Sequence, residues 1–139
     1  MATRVLITGA GGGGAGNLMR DLRAAEPALV VVGVHDDRFT LAKSSGDRNW
    51  LVHPPGHPAY LTSLRRVIAR EWVDVAMPTT DPAVLAMARG RERLPCRLFL
   101  PDAGAVALCQ DKYALSCRLA DAGVPVAETV PLRALDEVE

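Results

Sequence analysis

A glycine-rich loop is the first feature of this sequence that could take part in chemistry. It spans residues 8–16 and fits the spacing G-x-G-x-x-G in two registers; its candidate nucleotide-binding residues are Gly9, Gly11, Gly12, Gly13 and Gly14. Glycine suits such a loop because the backbone must turn sharply and approach a phosphate closely, while the helix behind it offers free N–H groups. The loop therefore predicts either a phosphate-binding turn or a structural turn that lets a helix pack close to a sheet.

An acidic residue follows at the distance that a dinucleotide-binding domain requires. Asp36 lies about 20 residues after Gly14, behind the second apolar run, where such a domain keeps its ribose-binding carboxylate. Neither Tyr60 nor Tyr113 has a lysine four residues later, so the Tyr-x-x-x-Lys pair of short-chain and extended dehydrogenases is absent. The glycine run also lacks the Lys-Ser/Thr ending of a Walker A loop.

The polar triplet Thr79, Thr80 and Asp81 follows the fourth apolar run and is the second candidate ligand-binding segment. Ligands of open α/β sheets bind beyond the carboxyl ends of the strands, so these residues are expected to face a substrate. Asp81 also has a structural interpretation, because an aspartate ahead of a proline is a common helix N-cap. Both interpretations of Asp81 stay open at this point.

The remaining polar residues predict neither a catalytic residue nor a metal site. His53 and His57 are four residues apart, but two prolines and a glycine between them preclude a helix, and no third ligand lies at a fitting spacing. The cysteines show no C-x-x-C spacing and predict inert thiols at Cys96, Cys109 and Cys117.

The elements that would position these residues alternate between short apolar runs and amphipathic segments. Five strands are predicted, at residues 4–8, 30–34, 50–52, 73–77 and 97–100. Helices are predicted between them, and two further helices should follow the capping residues Asp102 and Asp111, the second ending at Gly123. The pattern is typical of a Rossmann-like α/β fold, a doubly wound parallel sheet with helices on both faces.

Bulk properties narrow the classes of function. The 139 residues fit one domain, and Lys plus Arg equal Asp plus Glu at 16 each, so no basic surface for nucleic acid is indicated. No apolar run approaches the roughly 18–20 residues needed to cross a bilayer, and the first residues lack the zones of a signal peptide. We therefore expect a cytoplasmic protein that binds neither nucleic acid nor a membrane.

The last third of the chain resembles the segment that joins the first two domains of ATP-grasp enzymes. There, Asp111-Lys112 opens a helix that leads to Gly123-Val124-Pro125, with Thr129 in a strand beyond it. The earlier residues resemble the pre-ATP-grasp domain of carbamoyl-phosphate-synthase-like proteins, through Arg-Val-Leu-Ile-Thr-Gly-Ala-Gly at 4–11 and Met-Pro-Thr-Thr-Asp at 77–81. The resemblance covers nearly the whole chain, and its most specific part runs from residue 111 to residue 125.

This resemblance implies an enzyme that phosphorylates a carboxylate with ATP and Mg²⁺, after which an amine displaces phosphate from the acyl-phosphate. It implies that Lys112 contacts the ATP phosphates, that residues 79–81 face the acceptor substrate, and that the glycine loop borders the same crevice. Residues 1–125 would form the pre-ATP-grasp domain, and residues 126–139 would begin the link to an ATP-grasp domain that supplies the metal ligands from beyond Glu139.

From that division we expect no turnover and no tightly bound cofactor in this chain alone. Its expected partners are small carboxylate and amine substrates and the ATP-grasp domain, and the resemblance is also compatible with a homodimer. Two other functions stay open. One is an NAD(P)-binding domain of an oxidoreductase or epimerase that uses the glycine loop and Asp36; the other is a non-catalytic scaffold.

Overall fold

The structure is a computed structural model that describes residues 2–131. The chain divides into two compact units, Met1–Pro101 and Asp102–Glu139. Each unit is described by itself below. Within the described residues, no helix is both long enough and apolar enough to cross a membrane.

The first unit is built on a five-stranded sheet. Its strands are β1 (Arg4–Thr8), β2 (Val30–His35), β3 (Arg48–Leu51), β4 (Val75–Met77) and β5 (Arg97–Leu98). They lie in the order β3-β2-β1-β4-β5, and every neighbouring pair is parallel. The chain therefore places β1 at the centre of the sheet, adds β2 and β3 toward one edge, and then adds β4 and β5 on the other side of β1. The predicted doubly wound parallel sheet is confirmed.

Four helices connect these strands: α1 (Gly13–Ala25), α2 (Arg38–Leu41), α3 (Tyr60–Glu71) and α4 (Asp81–Arg89), with a 3₁₀ turn at Arg91–Arg93. Sequence analysis did not predict α2, which is only four residues long. Its cap explains why it forms, since the Asp37 carboxylate accepts hydrogen bonds from the N–H groups of Phe39 (3.3 Å) and Thr40 (2.7 Å).

Two hydrophobic cores cover the two faces of the sheet. Side chains alternate along a strand, so Leu6 of β1 points to one face while Val5 and Ile7 point to the other. The core around Leu6 receives residues of α3 and α4, chiefly Leu64, Val67, Ile68, Ala83 and Met87. The core around Ile7 receives residues of α1 and α2, namely Ala15, Met19 and Leu41. The prediction of helices on both faces is confirmed.

As far as residue 131, the second unit contains two helices, α5 (Ala103–Gln110) and α6 (Lys112–Asp121). Both predicted caps form, because the Asp102 carboxylate accepts from the Ala105 N–H and the Asp111 carboxylate from the Ala114 N–H, each at 2.9 Å. Gly123 has a φ of +74°, as predicted for the left-handed residue after a helix.

Residues 124–131 form no regular secondary structure, so the strand that the resemblance implied around Thr129 is absent from the described chain. A strand forms only beside a neighbour that satisfies its backbone groups, and the sheet of the first unit has no member from this segment. The predicted link at residues 126–139 lies partly outside the described residues, and its boundary at residue 125 stays a prediction.

Candidate functional site

A cavity of about 280 Å³ opens at the carboxyl edge of the sheet. It lies where the strand order reverses between β1 and β4, which is the place where open α/β sheets bind ligands. The ends of three strands contribute to it: Thr8 and Gly9 from β1, His35 and Asp36 from β2, and Thr80 from β4. The fold therefore brings together Gly9, Asp36 and Thr80, three of the predicted site residues. Their roles toward a ligand stay predictions.

Two further polar residues line this cavity and were not selected from the sequence. In the sequence, Tyr60 was considered only for a Tyr-x-x-x-Lys pair, and His53 only as a metal ligand. Tyr60 starts α3, whose first turn borders the cavity, and His53 follows β3 at the same edge. Their positions at the beginning of a helix and the end of a strand were the available signal. The rest of the wall is mostly apolar and comprises Val34, Val52, Pro55, Pro82 and Ala83.

Thr79 joins the loops after β1 and β4 and is not part of the cavity wall. Its N–H donates to the Thr8 hydroxyl oxygen at 3.2 Å, and its own hydroxyl donates to the Thr8 carbonyl at 2.7 Å. A Cβ on Gly9, which has a φ of +65°, would lie 2.7 Å from the Thr79 hydroxyl oxygen. The close approach of the two loops therefore requires glycine at position 9, whatever ligand the cavity takes.

The remaining glycines of the loop divide into two kinds. Gly11 has a φ of +93°, and a Cβ there would overlap the carbonyl oxygen of Thr40, so the fold itself requires glycine. Gly12 donates its N–H to the Gly9 carbonyl at 3.0 Å and occupies the N-cap of α1 without a side-chain cap. A Cβ on Gly13 or Gly14 would meet nothing within 4 Å. None of these four glycines lines the 280 Å³ cavity, and their nucleotide-binding role stays a prediction.

Asp36 and His35 form the polar end of the cavity. The Asp36 Oδ1 lies 3.0 Å from the His35 Nδ1, and the same nitrogen accepts the N–H of Asp37 at 2.8 Å. The His35 Nδ1 therefore lies within hydrogen-bonding distance of both the Asp36 carboxylate and the Asp37 amide.

Tyr60 is 2% exposed. Burial, and after it the negative charge of Asp36, raise the pKa of the Tyr60 phenol above its ordinary value. The phenol is therefore neutral at any physiological pH and offers both a proton donor and an acceptor oxygen. Tyr60 and Asp36 line the same cavity, where a hydroxyl and a carboxylate are suited to recognising a polar group of a ligand.

The two histidines after β3 stack on each other. Their ring centroids lie 4.4 Å apart with planes 13° from parallel, and the His57 Nδ1 accepts the Ala59 N–H at 3.0 Å. Among residues 2–131, no group of three or more His, Cys, Asp or Glu side chains is arranged to hold a metal ion. His53 also lines the cavity and forms part of its polar wall.

The structure corrects the sequence-based interpretation of Asp81 as an N-cap. Thr80 has extended backbone angles (φ −127°, ψ 143°) and holds the N-cap position, while Asp81 is already the first residue of α4. The reason is that the chain stays extended for one residue longer after β4. The carboxylate of Asp81 still lies in the first turn, where a negative charge stabilises a helix.

Lys112, the predicted ATP-phosphate contact, is the first residue of α6 in the second unit. It is exposed, and the Asp111 cap fixes the start of the helix beside it. The predicted role of Lys112 toward ATP stays a prediction.

Several solved structures share this fold. Glycinamide-RNase-transformylase T from Mycobacterium tuberculosis is 25% identical, with a TM-score of 0.65, over 90% of this chain and 37% of that chain. The biotin carboxylase domain of a thermophilic 2-oxoglutarate carboxylase, solved with ADP bound, is 16% identical, with a TM-score of 0.62, over 99% of this chain and 32% of that chain. dTDP-glucose 4,6-dehydratase from Bacillus anthracis, solved with NAD, is 13% identical, with a TM-score of 0.51, over 70% of this chain and 36% of that chain.

No protein-family model matches the chain, and no curated protein matches its sequence. The chain spans only about a third of the length of these solved proteins. The transformylase and the carboxylase are ATP-grasp enzymes, and they match more of this chain at higher TM-scores than the dehydratase does. The chain therefore has the Rossmann-like, pre-ATP-grasp fold of the N-terminal domains of such enzymes, which confirms at the level of the fold the resemblance found in its sequence.

Proposed function

We propose that this chain is the N-terminal, substrate- and phosphate-contacting domain of an ATP-dependent carboxylate–amine ligase. In the complete reaction, a carboxylate oxygen attacks the γ-phosphorus of ATP and ADP leaves. The amine then attacks the acyl carbon, and inorganic phosphate and a proton are released. This domain would hold an acceptor substrate while an ATP-grasp domain holds Mg·ATP.

The observation that carries the proposal is the cavity at the β1/β4 switch point in a fold shared with ATP-grasp enzymes. The loop after β4 supplies Thr80 and the loop after β1 supplies Gly9, so the two segments singled out by the resemblance border one cavity. The carbamoyl-phosphate-synthase-like character rests on sequence motifs alone and is the finer part of the proposal.

The proposal divides the ligands of Mg·ATP between this domain and the ATP-grasp domain. The described residues contain no cluster of three metal ligands, and the proposal assigns the Mg²⁺ ligands to the ATP-grasp domain. Lys112 would add a positive charge near the ATP phosphates, since a lysine ammonium offsets phosphate charge. We therefore expect the chain alone to turn over no substrate.

A first experiment tests the nucleotide class on the 139-residue chain. Melting temperature is followed during titration with Mg·ATP, NAD⁺ and NADP⁺ in parallel, because a ligand at 100 times its Kd stabilises a fold by about 2.7 kcal/mol. We expect no saturable response to either dinucleotide and a weak or absent response to Mg·ATP. Saturable NAD(P) binding that Asp36→Ala abolishes would overturn the ligase proposal.

A second experiment tests Lys112 in the polypeptide that the parent reading frame encodes. Carboxylate-dependent release of phosphate from ATP is measured for Lys112→Ala, Lys112→Arg and, as a control on the same helix, Arg118→Ala. We expect Lys112→Ala to lower the rate at least tenfold, because no ammonium group then offsets the charge of the ATP phosphates. A tenfold change in rate corresponds to about 1.4 kcal/mol in activation free energy. Lys112→Arg should retain most of the rate because it keeps the charge. Equal rates in all three variants would remove Lys112 from the ATP site.

The NAD(P)-binding alternative is favoured by one specific observation. Gly9 and Asp36 line the same cavity, as the phosphate turn and the ribose acid of a dinucleotide site would. The NAD-bound dehydratase supports this alternative through its fold alone, at 13% identity. The dinucleotide titration described above decides between the two functions.

A further inference from the structure

The cavity at the carboxyl edge has an unusual charge balance for a site that serves anionic substrates. Of its twelve lining residues, Asp36 is the one carboxylate, two are histidines, and none is lysine or arginine. A pocket for a carboxylate or phosphate is ordinarily lined by cations or by several aimed N–H groups. The charge of this cavity favours a ligand of the opposite sign.

The contact between Asp36 and His35 leaves acceptor capacity on the carboxylate. The Asp36 Oδ1 lies 3.0 Å from the His35 Nδ1. A carboxylate accepts at several lone pairs on its two oxygens, so a contact with one nitrogen does not use them all. An ammonium group, with three N–H donors and a positive charge, complements such acceptors.

The surroundings of Asp36 strengthen such a contact. The Asp36 side chain is 37% exposed, and the cavity beside it is walled by apolar residues, among them Val34, Val52 and Pro82. A ligand body seated on these walls would displace water from the carboxylate, and attraction between opposite charges grows as water is excluded. The neutral phenol of Tyr60 lines the same wall and adds an oxygen that can accept a further N–H.

From these contacts, and resting on the proposed function, we propose that the cavity binds the ammonium group of the amine substrate, with Asp36 as its counter-charge and Tyr60 as a second hydrogen-bond partner. The volume of about 280 Å³ leaves room for a ring-sized body behind the ammonium group. The carboxylate substrate would then be held elsewhere, by groups that carry positive charge. Asp36 and Tyr60 are binding residues in this proposal and take no part in a covalent step.

Three probes built on one cyclopentane ring test the proposal on the full chain. Cyclopentylammonium, the cis vicinal diol of cyclopentane and cyclopentanecarboxylate share this ring and present different polar groups. Binding is followed by ¹H–¹⁵N NMR at neutral pH, through the amide signals of Gly9 and Asp36. We expect the ammonium probe to shift these signals saturably, and the diol and carboxylate probes to bind at least about tenfold more weakly.

Variants then assign the contact. Asp36→Asn should weaken binding of the ammonium probe at least about tenfold, because a charge-assisted hydrogen bond is lost. Tyr60→Phe should weaken binding of this probe by a smaller factor. Asp37→Asn is the matched control, since it removes an equal charge one residue away while asparagine still caps α2. Its binding should stay within about twofold of the unaltered chain, as expected for an exposed charge outside the cavity. Melting temperatures of all variants show whether the fold is retained.

The outcomes separate this inference from the proposed function. Preferential binding of the carboxylate probe, strengthened by Asp36→Asn, overturns the ammonium assignment and leaves the ligase proposal standing. Preferential binding of the diol, together with saturable NAD⁺ binding, overturns both. Equal binding of the ammonium probe to the unaltered chain and to Asp36→Asn also overturns the assignment.

Discussion

The two edges of the sheet use polar residues in different ways. At the amino edge, polar side chains have partners within the protein: the Glu71 carboxylate accepts from the Trp50 indole N–H at 3.0 Å, and the Arg4 side chain donates to the backbone carbonyl of Glu71 at 2.9 Å. At the carboxyl edge, Asp36 and Tyr60 instead line an open cavity. The difference teaches that a polar residue in this fold is a candidate ligand contact where it also faces a cavity, and a structural residue where its protein partners enclose it.

The carboxyl edge has its own structural requirement, which lies in the backbone. The tight contacts there involve Gly9 and Gly11, whose φ angles are positive, and the hydrogen bonds between Thr79 and Thr8. The loops are thus held by the main chain and by threonine hydroxyls, whereas the exposed Asp36 carboxylate at the same edge faces the cavity. Four predictions test this comparison.

Gly11→Ala should have the largest effect on stability. It places a Cβ on the carbonyl of Thr40 and forces alanine into a φ of +93°, so the free energy of unfolding should fall by at least about 2 kcal/mol. Gly13→Ala is the control, because its Cβ meets no atom within 4 Å and the residue is helical. That variant should be unchanged or up to about 1 kcal/mol more stable. Urea denaturation measures both; equal losses would refute a purely local backbone requirement.

Glu71→Ala should be the next largest change and tests the amino edge. Glu71 is 8% exposed, and its removal leaves the Trp50 indole N–H without its partner, which should cost about 1–3 kcal/mol. Glu92→Ala, at an exposed position in the 3₁₀ turn, should stay within about 0.5 kcal/mol of the unaltered chain. A Glu71→Ala variant as stable as Glu92→Ala would show that the amino edge does not depend on this pairing.

Asp47, at the amino edge, should make the free energy of unfolding depend on pH. Burial opposes the ionisation of its carboxyl, but hydrogen bonds from the Val31 N–H and from Arg23 outweigh this, and the pKa of Asp47 is lowered from 3.8. A carboxyl whose pKa is lowered by folding stabilises the fold at pH values above its ordinary pKa. This stabilisation is lost as the pH falls through the folded-state pKa. We expect stability to decline below about pH 4 and Asp47→Asn to flatten that decline. The difference should be at most about 1 kcal/mol, since the side chain is 47% exposed.

Asp36→Asn should have the smallest effect on stability, in contrast with its expected effect on binding. The Asp36 side chain is 37% exposed, and an exposed contact such as the one with His35 contributes little to the stability of the fold. The free energy of unfolding should change by less than about 0.5 kcal/mol, or rise. Chemical denaturation at neutral pH measures it. A loss comparable with that of Glu71→Ala would make Asp36 a structural residue and erase the difference between the edges.

Much of the fold could be predicted from local patterns. The strand at residues 4–8 and the caps at Asp102 and Asp111 follow from side-chain chemistry within a few residues, and all three are confirmed. The helix α2 was missed because four residues carry too little periodicity to detect. The cap at Asp81 was misplaced by one residue, a shift that depends on how far the chain stays extended after β4.

The sequence by itself therefore determined the alternation of strands and helices, the glycine loop and the family resemblance, because these depend on neighbours along the chain. Only the tertiary structure decided which polar residues line the cavity. Asp36, Thr80 and Tyr60 come from separate segments and meet because parallel strands bring their carboxyl ends to one edge of the sheet. It also separated Gly9 and Gly11, required by backbone contacts, from Gly13 and Gly14, which have open space beside them. Spacing along the chain does not encode such contacts, since they depend on the register between strands far apart in sequence.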